Sequence, residues 1–229
     1  MPQEPANESL IPPQSIPVEA RDFSQRMHGM LDGQPKDNAT VEKAFEGLDS
    51  VFDLIAARLY HIASMLVGEG EESIRLVEMA VAATEISACQ DAEVARASSR
   101  RALCTAAIGI LERRVPGCLA APQGLEQAST CIEEDDLAAA GVSSDELEKM
   151  IAGPDKDRVR NWLASLPTVQ RVVFVQRAVA GFTSAETATM LGENGGPLAA
   201  GWTADAVREI FRQALCSLAS QLLHSTTAR

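Results

Sequence analysis

Residues 166–192 read LPTVQRVVFVQRAVAGFTSAETATMLG, which predicts two short helices separated by a tight break. Pro167 favours the first turn of a helix, and the valines after it recur at helical spacing. Gly181 interrupts that pattern, and Thr183 has the side chain of a helix N-cap. The second helix is expected to end at Leu191 and Gly192. Two short helices with such a break form the first half of a helix-turn-helix unit.

The composition indicates an all-α protein. Hydrophobic residues make up 46% of the 229 residues, but aromatic residues make up only 4%. Ala, Leu and Glu are abundant and alternating β-branched residues are few, which favours helices over strands. Three helical patterns lie before residues 166–192, and a long final helix is expected over Thr203–Leu223. We expect the second of the three patterns to bury one apolar row, which consists of Ile74, Val77, Val81 and Ile86.

Breaks in the pattern divide the chain into four parts. Residues 1–40 are rich in Pro, Gln, Ser and Asn, so we expect a mostly disordered lead-in. Residues 41–115 form the first helical domain, residues 116–155 an acidic linker, and residues 156–229 a four-helix module that contains the helix-turn-helix. Inside the linker, Ser143 and Glu146 have the spacing of a capping box, which predicts one short helix.

Charge is distributed unevenly along the chain. The net charge is −12, which argues against nucleic-acid binding by the chain as a whole. Residues 116–155 contain nine acidic residues and one basic residue, whereas residues 156–229 contain five acidic and eight basic residues. A DNA contact in the last part therefore needs a larger partner to supply most of the affinity. The linker either covers a basic face, at Arg96–Arg101 or Arg158–Arg160, or serves as a solubilising spacer.

The sequence of residues 166–192 also resembles that of a known family. LP-x-x-QR-x-x-F, six further residues, and G-F-T-x-x-E-T-A-x-x-LG are similar to the promoter-reading domain of bacterial sigma factors, particularly the extracytoplasmic-function group. The order of a three-helix module, an acidic linker and a four-helix module is similar as well. The resemblance implies a cytoplasmic transcription-initiation protein that binds RNA polymerase core and promoter DNA. It implies neither a cofactor nor a metal, because polymerase performs the chemistry.

The resemblance also assigns roles to particular residues. In the C-terminal part, the implied DNA contacts are Arg171, Thr183, Thr203, Arg208, Arg212 and Gln213. In the third helix, phosphate contacts are implied for Arg100, Arg101, Arg113 and Arg114, with an ordinary solvated helix surface as the equal alternative. The second helix is implied to dock on polymerase through Arg75, Val77 and Glu78.

Three departures from the family pattern favour a second hypothesis. Ile210, Gln213 and Leu215 stand where the family has basic residues, and Glu193–Trp202 is inserted between the two helices. No aromatic residue lies between Tyr60 and Trp162, although promoter melting needs a surface on which unpaired bases stack. The alternative is a degenerate sigma-like protein that acts through protein contacts, as a decoy for an anti-sigma factor or as a regulator, without melting promoters.

Other functional classes have little support in the sequence. G-x-S-x-G, H-E-x-x-H and paired-carboxylate patterns are absent, so we predict that the chain is not an enzyme. No apolar run reaches the ~20 residues that cross a bilayer, and no signal peptide is recognisable. The five cysteines are widely spread and form no C-x-x-C pair: Cys89, Cys104, Cys118, Cys131 and Cys216. We expect them to be reduced thiols in the cytoplasm.

Overall fold

The computed structural model describes residues 56–84, 92–123, 131–154 and 156–226. All of these residues belong to one compact unit, Ser50–Arg229. The expected lead-in at residues 1–40, the start of the first helical pattern, Ile86 and Cys89 lie outside the described residues.

The described residues form eight helices and no strand, which confirms the all-α expectation. Helix α1 covers residues 56–67, and two short 3-10 turns lie at Ala138–Ala140 and Pro197–Ala199. A π-helical turn, Val175–Val179, continues α6. The remaining helices are α2 (Glu71–Ala82), α3 (Ala92–Arg114), α4 (Ser144–Ala152), α5 (Lys156–Ser165), α6 (Thr168–Phe174), α7 (Ser184–Asn194) and α8 (Ala204–Thr226). Among these helices, none is long and apolar enough to cross a bilayer.

Helix α2 packs on α3 through a different face from the one expected. Its buried residues are Ser73, Leu76 and Ala80, whereas Ile74 is 49% and Val81 37% exposed. The two rows lie side by side on the helix, and the expected row contains the larger apolar residues. The row with serine and alanine faces the core because small side chains allow two helices to approach closely. The predicted buried row was therefore wrong at these positions.

Three aromatic rings hold the core around α6. The ring of Phe174, in the last turn of α6, lies 4.9 Å from that of Trp162 in an edge-to-face arrangement and 5.9 Å from that of Phe211 in α8. The indole nitrogen of Trp162 donates to the Ser217 hydroxyl at 3.0 Å. Such pairs contribute about 0.5–1.5 kcal/mol beyond their buried area. They fix the position of α8 relative to α5 and α6.

The residues that end α6 and begin α7 have the expected conformations. Gly181 has φ +76°, a left-handed backbone that glycine adopts without steric cost. Thr183 caps α7: its side chain accepts a hydrogen bond from the Glu186 amide, and the Glu186 carboxylate accepts one from the Thr183 amide. The capping box predicted at Ser143 and Glu146 is present in the same form at the start of α4.

The insertion between α7 and α8 packs on the chain that follows α3. The Trp202 indole donates to the Leu119 carbonyl at 2.9 Å, and the Ala121 amide donates to the Leu198 carbonyl at 2.9 Å. Helix α3 also packs on α7. Helices from the two predicted domains thus lie together within the compact unit, and their division at residues 116–155 stays a prediction.

Candidate nucleic-acid interface

The first half of α8 carries three of the residues expected to contact DNA, which are Arg208, Arg212 and Gln213. Thr203 precedes the helix, and its Oγ1 accepts a hydrogen bond from the Ala206 amide at 3.1 Å. Apolar side chains recur at steps of three and four and face the core, among them Val207 and Phe211. Arg208 is exposed, one turn after the helix start.

Both arginines of this half-helix pair with a carboxylate one turn earlier. The Arg208 and Asp205 side chains are 44% and 82% exposed, so their pair contributes at most about 1 kcal/mol. Arg212 pairs with Glu209, whose side chain is only 9% exposed, and also donates to the Glu133 carbonyl at 3.0 Å. Arg208 therefore exchanges partners easily. Arg212, by contrast, is half-buried and held by two partners.

Gln213 lies at the contact between α6 and α8. Its Oε1 accepts a hydrogen bond from Gln170 Nε2 at 3.1 Å, and its Nε2 donates to Glu209 Oε1 at 3.5 Å. A contact with a base would have to replace both bonds. The hydrogen-bond network thus gives Gln213 a role in joining two helices, and its DNA contact stays a prediction.

Arg177 belongs to the same surface, although no sequence motif pointed to it. Its guanidinium donates to the Phe182 carbonyl at 3.1 Å and to the Asp135 carbonyl at 3.2 Å. It also pairs with the Asp135 carboxylate at 3.3 Å and lies 5.1 Å from the centre of the Phe211 ring. Two of the partners are backbone carbonyls, which any residue type supplies. Sequence patterns therefore carry no signal for this position.

Residues 131–137, which we call the acidic segment, run along α8. Ile132 is buried, whereas Glu133, Glu134 and Asp136 are exposed. Asp136 accepts a hydrogen bond from the Ala139 amide at 2.8 Å, which supports the 3-10 turn that follows. That turn packs on α8. The segment thus places carboxylates beside the arginines of α6 and α8.

The linker acids were expected to cover one of two basic faces, Arg96–Arg101 or Arg158–Arg160. In the described part of the chain, the linker carboxylates pair instead with Arg177 and Arg58.

A disulfide joins Cys131, at the start of the acidic segment, to Cys216 in α8, with the two Cα atoms 5.7 Å apart. The expectation of reduced thiols was therefore wrong for this pair. The two residues are 85 positions apart, so their proximity depends on the tertiary fold and not on local spacing. Cys104 and Cys118 are free. Burial raises the pKa of the Cys104 thiol to about 12.

Two arginines of α3 contact the break between α6 and α7 and the start of α7. Arg101 pairs with Glu186 at 2.7 Å, and its guanidinium lies 5.6 Å from the centre of the Phe182 ring. Arg100 donates to the Ala180 carbonyl at 3.1 Å. Hydrogen bonds from the Thr183 amide and hydroxyl lower the pKa of Glu186. These predicted DNA contacts thus meet in one place, where they stabilise the packing of α3 on α7.

The other predicted arginines lie at the far end of α3. Arg114 pairs with Glu72 of α2 and donates to the Val67 carbonyl at 3.4 Å, while Arg113 is exposed. Arg171 in α6 is half-buried. Burial, and then the neighbouring charge of Arg114, lowers the pKa of Arg171. Arg114 is thus held by residues at the end of α1 and the start of α2, and the DNA contacts of this group stay a prediction.

The predicted polymerase-docking residues lie on α2. Arg75 and Glu78 are exposed, and Arg75 pairs with Glu71 at 3.8 Å. Val77 is half-buried and packs against the core. Next to them, Ile74 and Met79 are about half exposed. This face of α2 therefore combines exposed apolar surface with charges of both signs.

No protein-family model matches this sequence, and neither a curated protein nor a solved structure shows significant similarity to it.

Proposed function

We propose that the chain is a cytoplasmic, sigma-factor-like protein that binds RNA polymerase core and contacts promoter DNA through the first half of α8. The observation that supports this most is the helix pair α7–α8. Each of the two helices begins at a threonine cap, Thr183 and Thr203, and α8 presents Arg208 outward one turn after its start. In helix-turn-helix proteins, the N-terminal residues of the second helix reach the base edges. In this proposal, polymerase performs the catalysis and the chain needs no cofactor.

The strength of the Arg208 pair fits a DNA contact that acts within a larger complex. Its exposed bond to Asp205 contributes at most about 1 kcal/mol, so a phosphate replaces the carboxylate at small cost. One or two arginines change the slope of log affinity against log salt by only about 1–2. Such a contact adds discrimination once polymerase holds the DNA, and is too weak to hold DNA alone.

The exposed face of α2 supports polymerase docking in the same proposal. Ile74, Met79 and Val81 leave apolar surface in contact with solvent, and Arg75 and Glu78 lie beside them. Protein interfaces commonly combine an apolar centre with polar residues at the rim. This face is therefore the proposed contact with polymerase.

A specific observation favours the second candidate, a sigma-like protein that acts through protein contacts. Asp205, Arg208, Glu209 and Arg212 cancel one another in charge within the first half of α8. Gln213 is also engaged inside the protein, by Gln170. A decoy needs the shape of a sigma factor for its anti-sigma partner but does not need free arginines.

Co-purification of the full chain with bacterial RNA polymerase core, followed by transcription from the region upstream of its own gene, tests the proposal. We expect a stable complex and a specific transcript. Permanganate footprinting of the same DNA then reports melting, which we expect to be weak because residues 61–161 contain no aromatic residue. A chain that binds neither polymerase nor DNA, but still binds an anti-sigma protein, would establish the second candidate instead.

A further inference from the structure

The disulfide connects an accessible cysteine to the helix proposed to contact DNA. Cys131 is exposed and Cys216 is half-buried in α8. The backbone amide of Cys131 also lies 2.9 Å from the Cys216 sulfur. A reductant that reaches Cys131 therefore acts directly on the bond that fixes the start of the acidic segment.

The acidic segment engages two arginines beside the proposed DNA contact. The Glu133 carbonyl accepts a hydrogen bond from Arg212, and Asp135 accepts hydrogen bonds from Arg177 through both its carbonyl and its carboxylate. Glu134 adds a further exposed charge. Bound in this way, the segment engages two cations, and its exposed acidic residues add negative charge to the surface beside α8.

Besides the disulfide, the bonds from Arg212 and Arg177 and two apolar side chains hold the segment in place. Of its seven residues, only Ile132 is fully buried, and Leu137 packs partly against the core. Ion pairs near the surface are weak and are replaced readily by another anion. The covalent bond to Cys216 keeps the local concentration of the segment high, so the weak contacts persist while the bond is intact.

We propose that the Cys131–Cys216 disulfide is a redox switch that keeps the acidic segment on α8 in the oxidised protein and releases it on reduction. The proposal rests on the proposed DNA contact of α8 and adds its regulation. Disulfides in cytosolic proteins are usually transient and are often redox-sensing. Release breaks the bonds of the segment to Arg212 and Arg177 and withdraws its carboxylates. Arg212 keeps Glu209 and Arg177 keeps the Phe182 carbonyl, and the guanidinium donors that held the segment become available to phosphates.

The chemistry requires a dithiol reductant, such as a protein of the thioredoxin class. One thiolate of the reductant attacks the exposed Cys131 sulfur, forms a mixed disulfide and releases the Cys216 thiolate. The second thiol of the reductant, as its thiolate, then attacks the mixed disulfide and releases Cys131. The reductant becomes a disulfide, and the chain gains two electrons and two protons.

The test compares two complexes, polymerase core with the oxidised full chain and polymerase core with the reduced full chain, in binding to a fluorescein-labelled duplex from the region upstream of its own gene. We expect the reduced chain to bind about tenfold more tightly in low salt, with a salt slope steeper by about 1–2, because two arginines become available. Cys216→Ser should bind like the reduced wild type under both conditions. Cys118→Ser, which leaves the disulfide intact, should respond to reductant as the wild type does.

A second measurement tests, without DNA, whether reduction releases the acidic segment. Hydrogen exchange at Ala139, Ala140 and Val142, whose amides donate to Asp136 and Leu137 of the segment, should be slow in the oxidised chain, and fast in the reduced chain and in Cys216→Ser. Equal exchange in both redox states, or the absence of a Cys131–Cys216 cross-link in the oxidised chain by peptide mass analysis, would overturn the proposal. Exchange that changes while DNA binding is absent in both states would retain the switch and reject the DNA contact. DNA binding that is present and equally tight in both redox states would reject the switch and leave the DNA contact standing.

Discussion

Replacing Trp202 by phenylalanine removes the hydrogen bond that joins the start of α8 to the chain after α3. The indole nitrogen donates to the Leu119 carbonyl at 2.9 Å, and both residues are buried. A buried carbonyl left without its donor costs about 1–3 kcal/mol. The smaller ring loses about 1 kcal/mol more of apolar burial. We therefore expect Trp202→Phe to lower the free energy of unfolding by about 2–4 kcal/mol.

Trp162→Phe is the matched control for this substitution. Trp162 is equally buried, but its indole donates to the hydroxyl of Ser217, which is half-exposed and can bond to water instead. The control should therefore lose mainly the ring contribution. Urea unfolding followed by far-ultraviolet circular dichroism measures both variants, and the midpoint of Trp202→Phe should fall by about 1 M. A loss below about 0.5 kcal/mol, or one no greater than that of the control, would show that the insertion does not anchor α8.

Two further predictions concern helix starts and turns. Thr183→Ala should cost about 1 kcal/mol at neutral pH, because it removes the cap of α7. The pKa of Glu186 is lowered from 4.5 by the Thr183 amide first and by the Thr183 hydroxyl second. Alanine keeps the amide bond, so the pH-dependent part of the loss is the bond from the hydroxyl, which is present above pH 4.5 and is lost as the pH falls through the lowered folded-state value. Thermal unfolding should therefore show a somewhat smaller difference between variant and wild type in acid, and an equal difference at both pH values would refute this. Gly196 and Gly141 have φ +81° and +75°, so alanine at either should cost about 1–2 kcal/mol. Gly196→Ala should lower the free energy of unfolding more than Gly141→Ala does, because a Cβ at Gly196 would lie 2.7 Å from the Glu112 carboxylate, whereas Gly141 has open space around it. Equal losses for the two variants in chemical unfolding would contradict that reasoning.

The helices of the C-terminal half were predictable because their signals are local. Pro167, Gly181 and Thr183 each act on the backbone within a few residues of themselves, and the structure shows each in the expected place. The buried row of α2 was not predictable in this way. Two adjacent rows satisfy the same helical period there, and the choice between Ser73 and Ile74 depends on how closely α3 approaches.

The candidate interface was predictable only in part. Arg208 follows from its position in the final helix, and the structure exposes it there. The partners that hold Arg212 and Arg177 come from the acidic segment, 79 and 42 residues away along the chain. The pairing of Cys131 with Cys216 spans 85 residues. Contacts between residues so far apart along the chain depend on the complete fold, so no local sequence pattern predicts them.

The salt dependence of DNA binding by the complex of the full, reduced chain with polymerase core tests the central claim most directly. We expect Arg208→Ala to weaken binding at every salt concentration and to reduce the salt slope by about 1, because one phosphate contact is lost. Arg158→Ala is the control, because Arg158 is exposed on α5 and donates to the Gln221 carbonyl, which lies far from the start of α8. The binding curves of this control variant should match those of the wild type. Curves for Arg208→Ala that superimpose on those of the wild type would contradict the claim that the first half of α8 contacts DNA.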